Sequence, residues 1–115
     1  MNLNKQKILI TGVCGTIGHA LIRHLRNTFQ DSKILGIDND EANLFFIDQE
    51  FLADQNVSFD LMDIRDKVSL CNATKGIDIV FHTAALKHVV LCERSPFEAV
   101  QTNILGINNL IEASI

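Results

Sequence analysis

Three glycines spaced three residues apart, in Thr11-Gly-Val-Cys-Gly-Thr-Ile-Gly18, are the residues of this chain with the clearest chemical use. They follow an apolar run and open a helical one, which is where a chain can receive a diphosphate. Gly12 allows a tight turn out of a strand. Gly15 has no Cβ, so a pyrophosphate can approach the backbone. Gly18 lets the helix pack close to the sheet. The helix start then offers free N–H groups and the positive end of a dipole.

Asp38 stands about 20 positions beyond the last glycine, at the end of the second apolar run. There a carboxylate can accept hydrogen bonds from both hydroxyls of an adenosine ribose. It would repel a 2′-phosphate, and no arginine follows it, so NAD is expected over NADP. The other use of Asp38 is to begin the turn and cap the next helix. Asp63 in Met62-Asp-Ile64 is placed either to meet an adenine edge or to cap a helix. Thr83-Ala84-Ala85 keeps side chains small where a cofactor would cross the sheet, or where strands pack closely.

These residues need strands and helices to hold them. Lys7–Thr11 reads as a buried strand. From Gly15 to Phe29 the spacing is helical, with Ile17, Leu21, Leu25 and Phe29 on one face and His19, Arg23 and Arg26 mostly on the other. Ile34–Ile37 is a second strand, closed by the polar cluster Asp38-Asn-Asp-Glu41. Leu44, Ile47 and Phe51 mark a second helix. Val57–Met62 is a third strand, Asp66–Thr74 a short helix ended by Gly76, and Ile77–Ala85 a fourth strand. Ser95-Pro-Phe-Glu98 is a capping box with proline in the first turn, followed by the stripe Val100, Ile104, Ile107 and Ile111. The order β-α-β-α-β-α-β-α, with strands apolar on both faces, predicts an α/β fold. It is a Rossmann-like, doubly wound parallel sheet of about four strands in order 3-2-1-4, occupying residues 1–115 as one domain.

Composition removes other classes. The chain has 115 residues, 47% apolar and 21% charged, values of an ordinary globular domain. Its formal net charge of −4 leaves no basic stripe for nucleic acid. No apolar run reaches the length of a membrane span, and the N-terminal residues do not read as a signal peptide, so a cytoplasmic location is expected. Cys14, Cys71 and Cys92 are odd in number and far apart, which suggests neither a disulfide framework nor a metal site.

The glycine loop together with two further segments resembles a known family. These are Val80-Phe-His-Thr-Ala-Ala-Leu-Lys-His-Val89, and Cys92-Glu-Arg-Ser-Pro-Phe-Glu-Ala-Val100 followed by Thr102-Asn-Ile-Leu-Gly106. The loop spacing is similar to that of extended short-chain dehydrogenases/reductases. The Ala-Ala-Leu-Lys-His segment resembles the nucleotide-sugar 4,6-dehydratases of polysaccharide biosynthesis that act on UDP-N-acetylglucosamine. The likeness runs from Ile8 to Ala113. It implies oxidation at C4 of a nucleotide sugar, loss of water across C5 and C6, and return of the hydride at C6. It also implies nicotinamide-cofactor contacts at Cys14, Gly15, Thr16, Ile17, Asp38, Asn39, Asp63, Ile64 and Lys87, with Thr83 near the substrate. Asn103 is similar to the asparagine that braces the family's active-site wall. Apart from the resemblance, Lys87 reads as a solvated loop lysine, His82 and His88 as packed histidines, and Asn103 as an ordinary helix residue.

Two features depart from the family pattern. Many relatives carry a Ser-Arg pair suited to a 2′-phosphate where this chain has Asp38-Asn39, and Cys14 stands where a small or hydroxyl residue is usual. The resemblance also implies a catalytic tyrosine and lysine after a fifth strand, yet the chain contains no tyrosine. The expectation is therefore a cofactor-binding portion that carries no catalytic residue and is inactive alone. Self-association through an exposed sheet edge is expected as well. The competing expectations are a non-catalytic NAD-binding module and part of a nucleotide-sugar epimerase or reductase.

Overall fold

The run Lys7–Thr11 forms strand β1, whose residues from Ile8 to Thr11 are all buried. A strand apolar on both faces must be covered on both, and the rest of the fold supplies the covers. A computed structural model describes residues 2–83. After β1 come α1 (Thr16–Thr28), β2 (Lys33–Asp38), α2 (Glu41–Glu50), β3 (Val57–Leu61), α3 (Lys67–Ala73) and β4 (Ile79–His82). The strands form one parallel sheet in the order β3-β2-β1-β4. Register is set by Ile8 opposite Ile34 on one side of β1 and opposite Ile79 on the other. The sequence-based architecture and strand order are thus borne out.

Alternation along the strands divides the core into two layers. On one face Ile8, Ile10 and Ile34 pack with Ile22 and Leu25 of α1 and with Leu44 and Ile47 of α2. On the other, Leu9 and Ile37 pack with Ile64 and with Leu70 of α3. Two helix starts follow acidic residues: Asp40 accepts from the Asn43 N–H at 3.2 Å and caps α2, while Asp66 accepts from the Ser69 N–H at 3.2 Å and caps α3. Gly76, with φ +75°, turns the chain out of α3 toward β4.

Some expectations change. Ile17 is 57% exposed and does not belong to the apolar face of α1; Gly18, Ile22 and Leu25 are the buried positions. Arg26, expected outside, has a side chain only 12% exposed. It pairs with Asp54 at 2.7 Å and donates to the Ser32 carbonyl at 2.8 Å, fastening the end of α1 to the loop before β3. Among the described residues β4 begins at Ile79 rather than Ile77. The Ile77 N–H still closes the turn with Thr74, and the Asp78 carboxylate accepts the Lys7 N–H at the foot of β1. The capping box at Ser95, the stripe from Val100 to Ile111, and Cys92 lie outside the described residues.

Candidate functional site

The glycine loop leaves the sheet at the carboxyl end of β1. Gly12 has φ +68°, a conformation open to glycine, and its N–H donates to the Ile37 carbonyl at 2.9 Å. Val13 donates to the same carbonyl at 3.2 Å and buries its side chain in the core. Gly15 folds back, its N–H reaching the Gly12 carbonyl at 3.0 Å, and the His19 N–H then reaches Gly15 O to begin α1. A Cβ on Gly18 would overlap the Gly12 carbonyl oxygen and lie 2.8 Å from Val13 Cα. The helix can therefore cross the loop this closely only with glycine at position 18.

The N-terminus of α1 differs from those of α2 and α3. Its N-cap is Gly15 and no side chain caps it, whereas Asp40 and Asp66 cap the other two. The first N–H groups of a helix have no partner within the helix. Gly15, Thr16 and Ile17 are exposed there, so an anion can reach that turn.

Asp38, the last residue of β2, lies beside the loop. Its Oδ2 accepts the Cys14 N–H at 3.0 Å, and its Oδ1 accepts the Asp40 N–H at 3.0 Å. The cap of α2 is Asp40, so Asp38 does not serve that purpose. Asn39 is exposed in the turn between them. From the opposite side, the Thr83 hydroxyl donates to the Thr11 and Gly12 carbonyls, the second at 3.1 Å. Thr11 Oγ1 lies 2.7 Å from His82 Nδ1, and burial pushes the His82 imidazole below its ordinary value. Cys14 is half-buried. Burial first, then the Asp38 and Asp40 carboxylates, push its thiol up to about 12. It stays protonated at neutral pH and is a poor nucleophile.

Asp63 and Ile64 lie in the connection from β3 to α3. The Asp63 carboxylate accepts the Arg65 N–H at 2.9 Å and pairs with the Arg65 guanidinium at 2.7 Å, which holds it below the usual carboxylate range. The residue that caps α3 is Asp66. Ile64 is buried beside Leu9, Ile37 and Leu70. The structure thus gathers the loop, Asp38 and Thr83 at the carboxyl ends of β2, β1 and β4. This is where the strand order reverses and parallel sheets bind ligands. Ala84, Ala85, Lys87, His88 and Asn103 lie outside the described residues. Sequence reasoning missed that Asp38 and Thr83 bond to the loop itself; neither bond leaves a mark in residue spacing.

The donor set fits a dinucleotide: an uncapped helix start for the diphosphate, a carboxylate at the end of β2 for the ribose, and a Gly18 contact that keeps helix and loop together. Among the described residues no group of three or more His, Cys, Asp or Glu could hold a metal ion, and no helix is long and apolar enough to cross a membrane.

Fold and loop together define a Rossmann-like α/β protein of the short-chain dehydrogenase/reductase type. The chain belongs to the polysaccharide biosynthesis protein family, whose profile matches residues 8–115. It is 44% identical over 115 residues to the uncharacterized membrane protein MJ1061 of Methanocaldococcus jannaschii, covering 99% of this chain and 34% of that protein. It is 37% identical over 110 residues to a UDP-N-acetylglucosamine 4,6-dehydratase (inverting) of Campylobacter jejuni, covering 96% and 33%. Among solved structures, the dTDP-glucose 4,6-dehydratase DesIV of Streptomyces venezuelae, with NAD and TYD bound, superposes with a TM-score of 0.79 at 28% identity. That match covers 95% of this chain and 35% of DesIV. UDP-glucose 4-epimerases of Rickettsia species are relatives too. The chain spans about a third of the length of the curated relatives it matches.

Proposed function

We propose that this chain is the cofactor-binding portion of a nucleotide-sugar 4,6-dehydratase of the UDP-N-acetylglucosamine class, working in polysaccharide biosynthesis with NAD. The observation that carries the proposal is the Asp38 carboxylate bonded to the glycine loop beside an uncapped helix start. Family membership and the named dehydratases support the reaction class. NAD in a structurally similar dehydratase supports the cofactor.

In this reading the turn Cys14–Gly18 receives the diphosphate, Asp38 and Asn39 the adenosine ribose, and Asp63 and Ile64 the adenine. Ala84, Ala85 and Lys87 are further cofactor contacts in this reading, and Thr83 stands toward the substrate. When bound, the nicotinamide supplies a reversible hydride acceptor. The chain's own residues orient it: Gly12, Gly15 and Gly18 fix the backbone around the diphosphate, and Asp38 holds negative charge where a 2′-phosphate would have to sit. The proposal assigns no catalytic residue to these 115 residues, which contain no tyrosine. It includes a cytoplasmic location and self-association through an outer strand, since β3 and β4 are the edges of the described sheet.

Calorimetric titration tests the cofactor assignment. NAD+ is expected to bind more tightly than NADP+; tighter NADP+ binding, or no binding of either, refutes it. A nucleotide-sugar 4-epimerase portion is the second reading, favoured by the epimerases among the relatives. Assayed on the full-length protein, a 4-keto-6-deoxy product from UDP-N-acetylglucosamine supports the dehydratase, and an unoxidised C4 epimer supports the alternative.

A further inference from the structure

An ionised carboxylate offers about four lone-pair positions, two on each oxygen. Asp38 uses one on Oδ2 for the Cys14 N–H and one on Oδ1 for the Asp40 N–H, both at 3.0 Å. The Cys14 thiol also bonds to this carboxylate, so the ribose hydroxyls must take the positions that remain. Cys14 lies in the middle of the glycine loop, so its N–H is a handle on the loop's conformation. The opposite flank is held by Thr83 through the Gly12 carbonyl at 3.1 Å. The loop is thus fastened to β2 through Asp38 and to β4 through Thr83.

Building on the NAD reading above, we infer that Asp38 is a positioning residue for the diphosphate as well as a ribose acceptor. By holding the Cys14 N–H it keeps the glycine loop in its anion-receiving form, and its free lone pairs take the ribose at the same time. Two consequences follow. Asp38 strengthens the binding of nucleotides that have no ribose hydroxyls. A 2′-phosphate cannot be accommodated by swinging the carboxylate aside, because that movement releases the loop.

The test is calorimetric titration of ADP and 2′,3′-dideoxy-ADP into the purified protein and its D38A and D38N variants. Asp38→Ala is expected to weaken dideoxy-ADP about tenfold, the effect of losing a hydrogen bond to a charged group, and ADP by a larger factor. Asp38→Asn keeps one acceptor oxygen for the two N–H donors, so its loss on dideoxy-ADP falls between wild type and D38A. Hydrogen exchange separates positioning from general loosening: in D38A the Cys14 amide exchanges faster while the amides of β1 do not. If dideoxy-ADP binds wild type and D38A equally and only ADP distinguishes them, Asp38 serves the ribose alone; the inference fails and the NAD reading stands. If neither nucleotide binds the wild type, the NAD reading fails and the inference with it. Should D38A not fold, D38N decides, and wild-type affinity for dideoxy-ADP in that variant overturns the inference.

Discussion

The Thr83 hydroxyl donates to the main-chain carbonyl of Gly12 at 3.1 Å, so the residue after β4 is bonded to the first glycine of the loop after β1. The same hydroxyl also meets the Thr11 carbonyl, which the Thr83 N–H approaches at 3.1 Å. A position that reads in sequence as a small residue near a substrate is therefore also a fastening of the loop.

Thr83→Val keeps the shape and removes the donor. The Gly12 carbonyl retains the Gly15 N–H and the Thr11 carbonyl retains the Thr83 N–H, so neither is left without a partner. The expected cost is about 1 kcal/mol, read by urea denaturation, with weaker NAD+ binding in the same variant.

Gly18→Ala places a methyl group on the Gly12 carbonyl oxygen and 2.8 Å from Val13 Cα. Both neighbours are backbone, so relief requires moving α1 or the loop. A loss of about 1–3 kcal/mol is expected, as for overpacked cores, together with loss of NAD+ binding. Unchanged stability would mean that the helix does not cross the loop this closely.

Glu50 joins α2 to α1 through Arg23 at 2.7 Å and His19 at 3.1 Å. The Arg23 hydrogen bond, ahead of His19, lowers its carboxyl from 4.5 to about 2. A carboxyl depressed by folding contributes stability that is complete above its unfolded value and is lost as pH falls toward its folded one. The stability advantage of wild type over E50Q should be present at pH 6 and should shrink between about pH 4.5 and pH 2. The pair is partly exposed, so the effect is small and weakens with salt. Denaturation curves of both proteins across that range check it.

The Cys14 thiol, pushed up to about 12, should alkylate slowly with iodoacetamide at pH 8 compared with a free thiol. D38N removes one of the carboxylates that raise it, so the alkylation rate of the Cys14 peptide should rise. Peptide mass spectrometry reads this site separately from Cys71 and Cys92. An unchanged rate would mean that the Asp38 charge does not control the thiol.

Much of the fold was legible because strand polarity and turn chemistry agree. Lys7–Thr11 has the bounds read from its apolar run, and the sheet order follows from alternating strands and helices joined by right-handed crossovers. The glycine loop was legible because each glycine answers a steric need. Other features depend on three-dimensional neighbours. Ile17 matches the apolar period of α1, yet it sits on the first turn and stays exposed. Gly18 adds nothing to an apolar pattern, yet it meets the loop too closely for a Cβ. Arg26 reads as a surface charge until Asp54, 28 residues later, is brought beside it. The cap of α3 falls on Asp66, while Asp63, three residues earlier, is paired with Arg65.

The most direct test of the central claim is a crystal structure of the protein with NAD+ bound. The diphosphate should lie within hydrogen-bond distance of the N–H groups at the start of α1. Both adenosine ribose hydroxyls should rest on Asp38, with the Cys14 N–H still bonded to that carboxylate. A dinucleotide seated elsewhere, or an Asp38 turned away from both loop and ribose, would contradict the account.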